Sequence, residues 1–158
     1  MGVVWVILAV MSKLSRRHFG TSLLAGSLLG AQDPLNDPLK RIWNPDSIHW
    51  QRTDPDGSKY AVIDGDREVP GKPFTYAFWM PKGLWVKAHT HTQQAHVAVV
   101  KGTLLLGYGT RMDKSKIVAI PKGGYFVVRA NEPHFGGCDA ETLIIGSALG
   151  GWKTSELE

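Results

Sequence analysis

The sequence predicts a single all-β domain, a barrel or sandwich of antiparallel strands. Three observations carry this expectation. About nine short runs rich in β-branched and aromatic residues recur at spacings of roughly ten residues. Gly, Pro and Asp turn signals separate them. No stretch beyond residue 31 sustains an apolar pattern of period 3.6, so almost no helix is expected. The 158 residues, 43% hydrophobic and 20% charged, suit one globular domain.

Residues 1–31 read as an export leader. Ser15, Arg16, Arg17 and Phe19 give S-R-R-x-F, a twin-arginine pattern, and the apolar stretch TSLLAGSLLGA (residues 21–31) follows. That stretch is too short to cross a bilayer core of about 30 Å as a helix, so no stable span is expected in the mature chain. Cleavage is expected after Ala31, which places the protein in the periplasm or outside the cell. The first ten residues, MGVVWVILAV, lie upstream of the usual position of such a signal. A start at Met11 gives MSKLSRRHFG, the more typical beginning.

Residues 32–47 (QDPLNDPLKRIWNPDS) are rich in Asp, Asn and Pro and read as an extended arm. The barrel is expected over 48–152. Its predicted strands are 48–51, 60–63, 74–80, 84–88, 97–100, 103–106, 117–120, 125–129 and 142–147. Turn signals bound them at Pro55 to Gly57, Asp64 and Gly65, Pro70 and Gly71, Pro81 to Gly83, Lys101 and Gly102, and Pro121 to Gly124. Residues 153–158 read as a C-terminal tail. Trp43 and Trp50, beside the arm, are candidates for packing across a subunit interface.

The net charge of +4 is concentrated in the leader. Lys13, Arg16 and Arg17 stand there without an acidic residue, leaving 15 Lys and Arg (18 minus 3) against 14 Asp and Glu. With no Lys/Arg run in the remainder, nucleic acid is not an expected partner. Cys138 is the only cysteine, so an internal disulfide is excluded. No Ser-His-Asp arrangement and no phosphate loop emerges.

The histidines carry the functional signal. Of six, His89, His91 and His96 fall within eight residues, HTHTQQAH, and His134 stands apart. In an extended segment residues i and i+2 share a face, so His89 and His91 can converge on one ion. A distant third imidazole, His134, would complete a face for a divalent transition metal. His96 enters the set only if a β-bulge re-aims it. Tyr76, Trp85, Phe126 and Cys138 are candidates to line the pocket. Arg129 is read either as a holder of an anionic substrate or as solvated, with solvation the expectation.

These residues resemble the two motifs of the cupins. Gly83, His89 and His91 match G-x5-H-x-H of the first motif, G-x5-H-x-H-x3,4-E-x6-G, and Gly102 supplies its closing glycine. Gly123 and His134 match the second, G-x5-P-x-G-x2-H-x3-N, in which Arg129 replaces Pro, Asn131 replaces Gly and Cys138 replaces Asn. Asn is a sensible replacement, since it tolerates the left-handed conformation better than most residues. The resemblance covers about residues 45–150 and is nearest to small exported single-domain cupins.

It implies a conical barrel of two antiparallel sheets (a double-stranded β-helix), a metal held in its mouth by His89, His91 and His134, a small-molecule ligand and a homodimer. The family's glutamate is absent. Counting back from Gly102 puts Ala95 in its place, so the expected ion (Fe, Mn, Ni or Zn) has three histidines. Some cupin dioxygenases use three histidines on Fe(II). The two expectations are therefore a metal-dependent dioxygenase-type oxidoreductase acting on a small organic molecule, and a non-catalytic, metal-free cupin binding a small molecule in the periplasm.

Overall fold

A computed structural model describes residues 42–157. The leader and most of the arm, residues 32–41, lie outside the described residues. Residues 42–47 are exposed and carry only a single 3-10 turn, Pro45–Ser47.

Eleven strands follow: β1 (Arg52–Thr53), β2 (Lys59–Gly65), β3 (Pro73–Met80), β4 (Trp85–His91), β5 (Ala95–Lys101), β6 (Thr103–Tyr108), β7 (Ile117–Pro121), β8 (Tyr125–Val128), β9 (His134–Gly137), β10 (Thr142–Leu149) and β11 (Thr154–Glu156). They form two antiparallel sheets, one of six strands in the order β1-β2-β3-β10-β5-β8 and one of five in the order β11-β4-β9-β6-β7. The all-β, two-sheet architecture expected from the sequence is the one observed. Among the described residues no helix is long and apolar enough to cross a membrane.

Period-2 alternation decides which side chains enter the core. Phe74, Tyr76 and Met80 of β3, Ala95, Val97 and Val99 of β5, and Leu104 and Leu106 of β6 share one buried cluster with Ile144 and Trp152. The intervening residues of the six-stranded sheet face outward. Ala61, Ala77 and Leu143 form a second cluster there, capped by Ile48 with Trp50 packed beside it. Residues 48–50 therefore cover the outside of the sheet, and the neighbouring strand is β1.

Gly102 carries the chain from β5 in one sheet to β6 in the other. Its φ of +76° is a conformation that L side chains rarely adopt, and an added Cβ would lie 2.3 Å from the Glu141 carbonyl oxygen. The closing glycine of the first motif is thus a backbone requirement.

Three strands went unread in the sequence. HFGG (β9) is half glycine, TSE (β11) is short and polar, and RT (β1) is two residues long. Each takes its structure from the strand beside it. β11 runs through the segment read as a tail and pairs with β4 in the register Thr154 to His91 and Glu156 to His89.

Candidate metal centre

His89 and His91 lie on β4, and His134 opens β9 directly opposite His89. The pairing of these strands is irregular. Val86 faces Gly136 and His89 faces His134, so three steps along β4 match two along β9. One extra residue in β4 is a β-bulge, and it puts Val86 and His89 on the same face although an odd number of residues separates them. Beyond the bulge His89 and His91 alternate normally. The bulge therefore turns the H-x-H pair into the cavity.

One ring nitrogen from each of His89, His91 and His134 lies within 4.8 Å of the other two. The ring centroids are 4.2 to 5.0 Å apart. The second nitrogen of each ring is occupied. His89 Nδ1 donates to the Lys87 carbonyl at 2.7 Å and His134 Nδ1 to the Glu132 carbonyl at 2.9 Å. His91 Nδ1 is 3.0 Å from Thr154 Oγ1, which also accepts from Trp152 Nε1 at 3.2 Å. Donation from Nδ1 to a carbonyl fixes the tautomer of His89 and His134 that leaves the Nε2 lone pair free for an ion.

Electrostatics favours the same state. Burial pushes all three histidines below their usual range, His91 to about 2 and His134 to about 4. The other two rings depress His91 further, and so does Arg67. At neutral pH the cluster is three uncharged imidazoles, the form that ligates metal. This donor set of borderline nitrogen ligands suits Fe, Mn, Ni or Zn.

A tight loop positions the third ligand. The Asn131 amide donates to the His91 carbonyl at 2.7 Å, and the Arg129 amide donates to Glu132 Oε2 at 2.9 Å. Asn131 has φ +59°, the only non-glycine residue with positive φ among those described. It takes the left-handed turn that the sequence assigned to it as a replacement for Gly. Arg129 is exposed, as read. The Glu132 carboxylate is bound to backbone and Glu141 pairs with Lys101 at 3.0 Å, so neither offers a base to the cluster.

The remaining candidates divide. Tyr76 and Phe126 line a cavity of about 310 Å³ that also contains the three histidines. Ala95 lines it as well, buried at 1% exposure, in the place reserved for the family's glutamate. His96 is one residue out of register with it and lies exposed on the outer face, bonded to Gln94 at 2.9 Å and to the Tyr125 hydroxyl. No bulge re-aims it, and it does not join the cluster.

Trp85 and Cys138 do not line the cavity. The bulge gives the inward position to Val86, and Trp85 packs against Gly137, with Lys114 4.0 Å from its ring. Cys138 is a buried core residue whose Sγ donates to the Pro81 carbonyl at 3.2 Å. Sequence reasoning missed Trp152, whose ring is tilted against that of His91 with centroids 4.2 Å apart, and it missed Tyr60 and Arg67 on the cavity wall. Trp152 lay at the barrel's expected end, where no motif marks it.

The structure is similar to KdgF from Halomonas sp., at 14% identity and a TM-score of 0.54 over 68% of this chain and 93% of that one. An RmlC-like cupin from Shewanella frigidimarina gives 17% identity and a TM-score of 0.54, covering 68% and 88%. The chain has the cupin fold. A point mutant of salicylate 1,2-dioxygenase from Pseudoaminobacter salicylatoxidans shares this cupin architecture at 12% identity and a TM-score of 0.53. There the match covers 65% of this chain and 31% of the longer enzyme. At these identities the likeness is one of fold. No protein-family model and no curated protein matches the sequence.

Proposed function

We propose that this cupin holds a divalent transition metal on His89, His91 and His134 and oxidises a small organic molecule with dioxygen. The observation that carries this reading is the convergence of three neutral imidazoles, each with its Nδ1 occupied, on one point of a cavity. An ion bound there would supply Lewis-acid activation and, for Fe, Mn or Ni, redox capacity. The protein's own contribution is fixed ring orientation and a largely apolar cavity that holds the substrate beside the cluster. A dioxygenase of salicylate with the same fold supports the choice of chemistry. The twin-arginine pattern supports export with the site already assembled.

Ala95 favours a second reading, a metal-free barrel that binds a small molecule, because it leaves the cluster without a carboxylate. Elemental analysis decides between them. We expect about one metal per chain after reconstitution with Fe(II), Mn(II), Ni(II) or Zn(II), and loss of that metal in His134→Ala. No metal with any of the four overturns the metal reading and leaves the binding protein. Oxygen uptake by the Fe(II) form in the presence of small organic acids, absent in His134→Ala, tests the chemistry.

A further inference from the structure

The cavity has a second polar region besides the histidines. Arg67 comes from the loop between β2 and β3, whose backbone is tied to the segment after β10 by the Gly151 amide donating to the Arg67 carbonyl at 2.9 Å. Its guanidinium carbon lies 5.3 Å from the centre of the Tyr60 ring, which stacks on Tyr76 at 5.8 Å. Arg67 Nε is buried and has no hydrogen-bond partner, the only buried side-chain nitrogen or oxygen in that state among the described residues. The nearest carboxylate, Glu68 Oε1, is 4.0 Å away, outside hydrogen-bond reach, on a side chain 86% exposed. Arg52, also on the wall, is already neutralised by Asp54 at 3.0 Å.

A buried guanidinium nitrogen with no acceptor is costly, and a contact with a ring face does not supply one. The charge stands at the wall of a cavity whose other surfaces are Phe78, Val97, Leu106, Phe126 and Ile144. We infer that Arg67 receives the anionic group of the cavity's ligand, and that this ligand is a monocarboxylate with an apolar body.

The guanidinium fork matches a carboxylate in two parallel hydrogen bonds. One guanidinium answers one negative charge, and the exposed Glu68 carboxylate at 4.0 Å competes for it only weakly, whereas a phosphate dianion would bring a second charge. The apolar surfaces receive the remainder of the molecule, and about 310 Å³ is at the small end of ligand pockets, which sets its size near that of a single ring or short chain. The inference rests on the reading of this cavity as the substrate site. It does not require the metal.

The test titrates benzoate, hexanoate and the neutral benzamide into the full chain by calorimetry, chelator-treated and Zn(II)-loaded, with metal content measured on each sample. We expect both acids to bind the chelator-treated protein, at least tenfold more weakly in Arg67→Gln, and with an intermediate loss in Arg67→Lys, which keeps the charge but not the paired hydrogen bonds. Benzamide should bind at least tenfold more weakly than benzoate and ignore the substitution. Arg129→Gln, at an exposed arginine outside the cavity wall, should change benzoate affinity little.

Equal benzoate affinity in wild type and Arg67→Gln, equal affinity for benzamide and benzoate, or no binding of either acid would overturn the inference. So would acid binding seen only with Zn(II) and indifferent to Arg67. Arg67-dependent acid binding in a protein that takes up no metal on Zn(II) loading would instead sink the metal reading and leave this one standing.

Discussion

Acidifying the metal-free protein should unfold it through His134 in a way that one substitution exposes. Burial lowers His134 from 6.5 to about 4, aided by the neighbouring His89. A base whose folded pKa is depressed is held neutral in the folded state while the unfolded chain takes up a proton. Its contribution is therefore complete above pH 6.5 and is lost as pH falls from 6.5 toward 4. The drop from 6.5 to about 4, at about 1.4 kcal/mol per pH unit, is roughly 3 kcal/mol.

His91 and His89 are depressed in the same direction and widen the loss. Asp113 is held low by Ser115 and Lys116, acts at lower pH and is common to both proteins compared. Urea unfolding of the chelator-treated wild type and His134→Gln at pH 7, 5.5 and 4 reads the difference. The stability lost between pH 7 and pH 4 should be smaller in His134→Gln by roughly 3 kcal/mol. An equal loss in the two proteins would refute a neutral, desolvated His134 and with it the argument that the cluster is poised for metal at neutral pH.

Three further outcomes follow from the same geometry. Thr154→Val removes the partner of His91 Nδ1 and should weaken metal binding about 10–100-fold in competition with a chelator; unchanged affinity would show that β11 does not orient that ring. His96→Ala should leave metal content unchanged, since its side chain is bonded to Gln94 and Tyr125 outside the barrel; loss of metal would place His96 in the cluster. Asn131→Ala should cost about 1–2 kcal/mol in thermal unfolding, because Ala tolerates φ +59° poorly, whereas Asn131→Gly should cost much less.

The strands that alternate cleanly were legible because one face of each enters the core. FTYAFWM in β3 and AHVAVVK in β5 state their own orientation. The register argument that put Ala95 inward and His96 outward combined this period with the motif's spacing back from Gly102. β9 and β11 were illegible because their pairing depends on neighbours, and β11 in particular exists beside β4, where it holds His91 in place.

The candidate site was legible as types and spacing, and its orientation was not. On an unbroken strand Trp85, Lys87, His89 and His91 would share a face, which would put Trp85 in the pocket beside the histidines. The bulge between Val86 and His89 cancels that inference: Val86 takes the cavity side, Trp85 covers Gly137, and the histidines still point inward. A bulge leaves no reliable mark in the residues that form it, because it is set by which backbone groups of β9 are available to pair. Arg67 was hidden for a related reason. In DGDREVPGK it reads as one charge in a polar turn, and only the docking of that turn against Gly151 makes it a wall of the cavity. Local pattern thus located the metal ligands, while the residue inferred to choose the ligand's charge became visible only through a contact between loops 84 residues apart in sequence (151 minus 67).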